Sequence, residues 1–284
     1  MATVYIAPTA QGSADGTSAA NAYAYSSLST AETDAGNGGT ILFTDGDYDL
    51  SGTTTWDGVG SSGNDITYKS LNLQKAVIKS NTGGSLRQLS VGAAANTSTI
   101  NVQNFKFIDI KFYFYNGGSG EISGNLITTS TVVALPSTGF LRVTGSGTTK
   151  LLNNSIYIQY ASGNYVERET SRLAEFSGNS IFISSLNGKT GPVYYTYSTS
   201  TDLRSCPIVK NNIFATDDTT GGVLETQNSF SGSFNNCCFH QFDDSNNGSG
   251  GTNNVFADPQ FVDSTTGDLR LRPSSPCIGA ATTS

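Results

Sequence analysis

The stretch 101–115, NVQNFKFIDIKFYFY, decides the fold. Phe105 and Phe107 flank Lys106; then the phase slips once, and Ile108, Ile110, Phe112 and Phe114 alternate with Asp109, Lys111, Tyr113 and Tyr115. Side chains on a strand have a period of two, so each alternating run reads as a half-buried strand. The slip between Phe107 and Ile108 predicts a bend there that re-aims the inward face.

Asn104 stands just before the first run, and the same arrangement returns in ISGNLI, LLNNSIYI, EFSGNSIFI, IVKNNIFA, SFNNCCF and TNNVFA. Taking the Asn nearest each following strand gives Asn104, Asn125, Asn154, Asn179, Asn212, Asn236 and Asn254. A period in the twenties with variable insertions marks a solenoid whose coils differ in loop length. Asn suits a corner because it tolerates left-handed backbone and bonds neighbouring peptide groups. Stacked coils then place Asn over Asn in a ladder of amide hydrogen bonds.

Composition agrees with an all-β chain. There are 284 residues with 32 Gly, 15 Phe and 13 Tyr, only 13% are charged, and such small polar surfaces favour tight turns over helices. A net charge of −7 lacks the basic footprint of a nucleic-acid binder, and no apolar run is long enough to span a bilayer, so neither nucleic acid nor membrane is an expected partner. The first residues lack the basic start and apolar block of a secretory leader; either one has been removed or the chain is made without it. Cys206, Cys237, Cys238 and Cys277 have no metal-ligand spacing and read as free thiols filling apolar space, with Cys237 and Cys238 on opposite strand faces.

Three parts are expected: an N-terminal strand and capping helix in 1–39, coils in 40–257 and a closing cap in 258–284. The helix is read at Tyr25–Ala35, with Ser29 and Glu32 at capping-box spacing. Thr40–Leu50 reads as the first full coil, the segment around Trp56 as a polar excursion, and 81–100 as a loop or narrow coil. In the cap, Pro259, Pro273 and Pro276 bar further ladder hydrogen bonds.

The opening YIAPTAQGSADG, the first coil GGTILFTDGDY, and the closing DPQFVD, GDLRL and SPCIGAA resemble the two ends of pectate-lyase-like right-handed parallel β-helix proteins. The resemblance implies that fold for nearly the whole chain, a rod of nine or ten coils on the order of 45 Å long at ~4.8 Å per coil. It implies no activity, since the superfamily holds lyases, hydrolases, adhesins and phage virion proteins alike.

Chemistry has few footholds. Glu167 and Glu169 in YVERETSRLAE would share a strand face with Arg168 opposite, a possible carboxylate pair or a solvated loop edge with Arg172 and Glu175. The doublets Asp217-Asp218 and Asp243-Asp244 lack calcium-loop spacing, and His240 is the single histidine, without a motif to partner it. Tyr195 and Tyr197 on one face, Tyr194 on the other, and Tyr113 and Tyr115 on their own coil offer flat amphipathic area for sugars or a protein; Tyr is equally a good strand former. The sequence assigns no catalytic residue, no metal ligand and no cofactor. The expected role is a non-enzymatic virion component of a phage, a capsid decoration or auxiliary tail protein, contacting other virion proteins or itself as a homotrimer, with a cell-surface glycan as a further partner. The alternatives are an extracellular polysaccharide lyase or hydrolase and a carbohydrate-binding adhesin.

Overall fold

The structure is a computed structural model that describes residues 2–58, 64–82, 85–92, 98–116, 119–131, 133–134, 141–145, 148–162, 167–169, 173–185, 194–196, 208–217, 222–223, 225–226, 234–243 and 251–280. Three long sheets, all paired in parallel, wind it into a right-handed parallel β-helix. In sheet one, Thr3–Ala7 pairs with both Tyr23–Ala24 and Gly39–Phe43, and the stack continues from Ile66–Ser70 to Phe234–Asn235. Stacking therefore begins ahead of residue 40. Sheet two runs from Gly46–Leu50 to Val255–Phe256, and sheet three from Thr54–Trp56 to Glu225–Thr226.

Inward residues stack in columns from coil to coil. Phe107, Ile127, Ile156, Ile181 and Phe214 line the inside of sheet two, each in register with the next, and all are at most 3% exposed. In the lower coils the interior is aromatic: Trp56 stacks on Tyr68 at 4.8 Å and meets Phe105 at 5.3 Å. Trp56 belongs to a sheet-three strand and is fully buried, so the expected polar excursion is a coil strand. Within 81–100, Arg87–Val91 is likewise a sheet-three strand.

The stretch 101–115 turns two corners. The first is Asn104-Phe105, and the second is Asp109 alone, at φ 56°, between Lys106–Ile108 and Ile110–Asn116. The phase therefore changes at Asp109 and not between Phe107 and Ile108, which leaves Ile108 half-buried on the outside. Asp109 is 2% exposed because its carboxylate accepts Ser130 N–H at 2.8 Å and Ser130 Oγ–H at 2.5 Å from the next coil.

Between sheets one and two the corner is two residues long in six successive coils, at 104–105, 124–125, 153–154, 178–179, 211–212 and 236–237, and the pair 253–254 repeats it ahead of the last sheet-two strand. Its first position is left-handed, φ 54–69°, and holds Asn104, Gly124, Asn153, Gly178, Asn211, Asn236 and Asn253. Asn and Gly are the residues that adopt this conformation cheaply. The second position points into the core and holds Phe105, Asn125, Asn154, Asn179, Asn212, Cys237 and Asn254. Asn125, Asn154, Asn179 and Asn212 are at most 1% exposed, and each Nδ2–H donates to the Oδ1 of the next, at 3.0 Å at every step. The same Oδ1 accepts the preceding corner's backbone N–H, and the second Nδ2–H goes to a backbone carbonyl, as in Asn154 to Ile122 O at 2.9 Å. Every carboxamide hydrogen and its oxygen are used.

Asn104 and Asn236, expected on the ladder, instead occupy the left-handed column one residue earlier. Phe105 starts the column of second positions below Asn125, and Cys237 interrupts it between Asn212 and Asn254. The buried Cys237 thiol, pushed up to about 11 by desolvation, takes hydrogen bonds from the Asn212 backbone and side chain.

At the N-terminus, Tyr25–Ser27 is a 3₁₀ turn leading into the helix Leu28–Ala35, which ends at Gly36 with φ 63°. The capping box does not form. Glu32 turns into the core at 4% exposure and accepts the Tyr68 hydroxyl. At the other end the antiparallel hairpin Phe261–Asp263 and Asp268–Leu271 does more than close the stack. It folds back along the outside of sheet two, covering Tyr157, Phe182, Ile213 and Ala215 with Phe261 and Leu269. Tyr157 Oη–H donates to Thr265 O at 2.9 Å, and a Cys238–Cys277 disulfide pins the tail, so these two are not the free thiols expected. Cys206 lies outside the described residues.

Candidate functional site: the outer face of sheet three

From Asn104 onward the corner between sheets one and two holds two residues, and length variation falls beside sheet three. Sheet two connects to it through Asp109 alone in one coil and through 186–193 in another; the return to sheet one takes 117–119 in one coil and 197–208 in another. Loops that vary around a rigid scaffold are where binding surfaces are built.

Register fixes what this face carries. Phe112 and Phe114 are buried at 1% and 2%, so Lys111 and Tyr113 between and beside them face outward, both half-buried. Tyr113 pairs with Ser90 below and Arg142 above; Arg142 pairs with Arg168, Arg168 with Tyr195, and Tyr195 with Glu225. In register with Tyr113 the series therefore runs Ser90, Tyr113, Arg142, Arg168, Tyr195 and Glu225, with two arginine positions between two tyrosine positions. Adjacent strands lie ~4.8 Å apart, so this series spans roughly 24 Å along the rod.

Glu167, Glu169 and Tyr194 follow a different column. Glu167 is in register with Leu141 and Tyr194, and Glu169 with Val143, positions whose counterparts Phe112 and Phe114 are core residues. Glu175 lies in sheet one, where it accepts Ser177 Oγ–H at 2.9 Å and stands 4.0 Å from Lys150 Nζ. Tyr197 and Arg172 lie outside the described residues, and Tyr115 is the penultimate residue of the strand Ile110–Asn116.

Asp217 and His240, from neighbouring coils, line one cleft over sheet two. Asp243 lies in the short strand Phe242–Asp243 paired with Gly222–Val223; Asp218 and Asp244 fall outside the described residues. Among the described residues no three His, Cys, Asp or Glu side chains cluster as metal ligands would. Sequence reasoning missed Arg142, because nothing local in FLRVTG marks it; only the pairing with Tyr113 and Arg168 gives it a place.

No family model and no curated protein matches the chain. Among solved structures it is similar to the crystal structure of pectate lyase Pel9A, at 15% identity over 100% of this chain and 92% of that one, with a TM-score of 0.43. The strand registers establish the parallel β-helix.

Proposed function

We propose that the chain is a non-enzymatic structural protein of a phage virion, a capsid decoration or auxiliary tail rod that presents the outer face of sheet three to a partner and assembles as a homotrimer. The observation that carries this reading is the contrast between the corners. One corner repeats with two residues and a buried amide ladder, which makes a stiff spacer, while the connections beside sheet three vary freely in length. A rod of this kind has one adaptable long face, and three such faces around an axis make a closed assembly.

Light scattering on the purified chain at micromolar concentration tests it: a mass near three times 29.7 kDa is expected, and a monomer overturns the trimer. Addition of purified chain to particles lacking it tests the setting, saturable incorporation being the expected result.

A second reading is favoured by the residues in register with Tyr113. Tyrosines bracketing arginines suit an acidic glycan, rings stacking on the aromatics and carboxylates on the guanidinium groups. On this reading the chain is an extracellular glycan-binding adhesin or a polysaccharide lyase or hydrolase. Retention of acidic glycans lost in Tyr195→Ala, with unsaturated products or new reducing ends absent, selects the adhesin; their release selects the enzyme.

A further inference from the structure

The C-terminal hairpin does not lie flush on sheet two along its whole length. The outward column Tyr157, Phe182, Ala215 and His240 is continuous by register, and the hairpin covers its first three members. Where the hairpin lifts away, beside His240, it leaves a cleft of about 340 Å³. The floor is aromatic, Phe182 and Phe261 meeting edge to face with centroids 6.1 Å apart. Asp217 and His240 rise from the coils, and Asp258, Gln260 and Arg272 descend from the cap.

These wall groups are held in place. Asp217 accepts Ser184 Oγ–H at 2.7 Å, Asp258 accepts the Gln260 N–H at 2.8 Å, Gln260 Oε1 accepts Ser274 Oγ–H at 2.6 Å, and Arg272 Nη2 donates to Val262 O at 2.9 Å. Anchored polar groups lose little freedom when a ligand arrives, the usual condition for a preformed pocket.

We infer that this cleft is a binding site for a neutral saccharide, distinct from the face of sheet three. The chemistry selects that class. Two carboxylates outweigh one guanidinium, so an anion is disfavoured, and among the described residues no cluster of ligands is built for a metal cation. What the walls offer is a close alternation of acceptors and donors beside phenyl rings. Sugar hydroxyls donate and accept at once, carboxylates and guanidinium bind them through charge-assisted hydrogen bonds, and a pyranose C–H face packs on an aromatic. The volume, at the low end of ligand cavities, admits about one sugar ring, with the mouth open for a longer chain.

His240 is the only histidine in the chain, so its ring gives a single set of NMR signals at the cleft. The experiment titrates wild-type protein at fixed pH with glucose, galactose, mannose, rhamnose and N-acetylglucosamine, with sorbitol as an open-chain control. The expected result is a saturable shift of the His240 ring signals by at least one sugar and none by sorbitol, weakened about tenfold or more in Asp217→Asn and Arg272→Gln. Tyr195→Ala, on the other face, leaves the titration unchanged. Absence of any saturable His240 shift up to millimolar sugar overturns the inference, as does a shift that sorbitol reproduces or that both cleft variants retain in full. Because the readout is confined to the cleft, its failure leaves the sheet-three proposal standing, and the reverse.

Discussion

Removing one amide from the middle of the ladder is the sharpest perturbation the structure offers. Asn179 is fully buried, and its carboxamide makes four hydrogen bonds, each 3.0 Å long. It accepts from Asn154 N–H and Asn154 Nδ2–H, and donates to Leu151 O and Asn212 Oδ1. Asn179→Ala deletes all four and leaves their partners buried without replacements. At a net ~1 kcal/mol per bond the loss is ~4 kcal/mol, and stranded partners push it upward. With a urea dependence of about 3 kcal/mol/M the midpoint falls by roughly 1.3 M. The companion variant Asn153→Gly alters the left-handed position of the preceding coil's corner, which is exposed and at φ 55°, a conformation glycine accepts without strain, so its cost stays below ~1 kcal/mol. Asparagines at the two corner positions thus differ several-fold in worth. Urea unfolding followed by circular dichroism reads both; equal midpoints for the two variants, or an Asn179→Ala loss under ~1 kcal/mol, would refute the reasoning.

Other outcomes follow from the same structure. Gly124→Ala puts a Cβ 2.5 Å from Asn104 Oδ1 at φ +67°, so a loss of ~1–2 kcal/mol is expected in the urea midpoint, and an unchanged midpoint contradicts the left-handed column. Burial pushes the Tyr25 hydroxyl up to about 12, and burial reinforced by the Glu32 charge raises Tyr68 well above the ordinary phenol. The folded chain therefore holds these protons more tightly than the unfolded one; stability is complete below about pH 10 and falls as pH rises above it. Urea midpoints measured across that range, with phenolate absorbance, check this, and a flat profile to about pH 11 argues against the buried tyrosines. Cys277→Ser opens a bridge spanning 39 residues, with an expected cost of ~4 kcal/mol from loop closure, seen as earlier melting of the oxidised protein. Alkylation of both Cys238 and Cys277 without reductant would show the tail is not pinned.

The coil architecture was legible in 101–115 because alternation and recurring Asn both survive in the sequence. The ladder register was not fully so. In the NN pairs at 153–154 and 211–212 the second Asn turns inward; at 104 and 236 the Asn nearest the strand is the left-handed residue, and Phe105 and Cys237 hold the inward place. Local sequence cannot separate the two positions, because Asn suits both for different reasons: left-handed backbone in one, four amide bonds in the other. Glu32 misled for a similar cause, its capping-box spacing being overridden by a buried partner, Tyr68, a coil away. The register of Arg142 with Arg168 depends on pairing across coils of unequal length, which no local pattern encodes.

The account stands on the stacked carboxamides, and their side-chain hydrogens report on them directly. In protein labelled with ¹⁵N-asparagine, hydrogen exchange of the NH₂ groups should be slow for Asn125, Asn154, Asn179 and Asn212 and fast for the exposed Asn153 and Asn253. Exchange of the first four at the rate of the last two would contradict the ladder and the fold built on it.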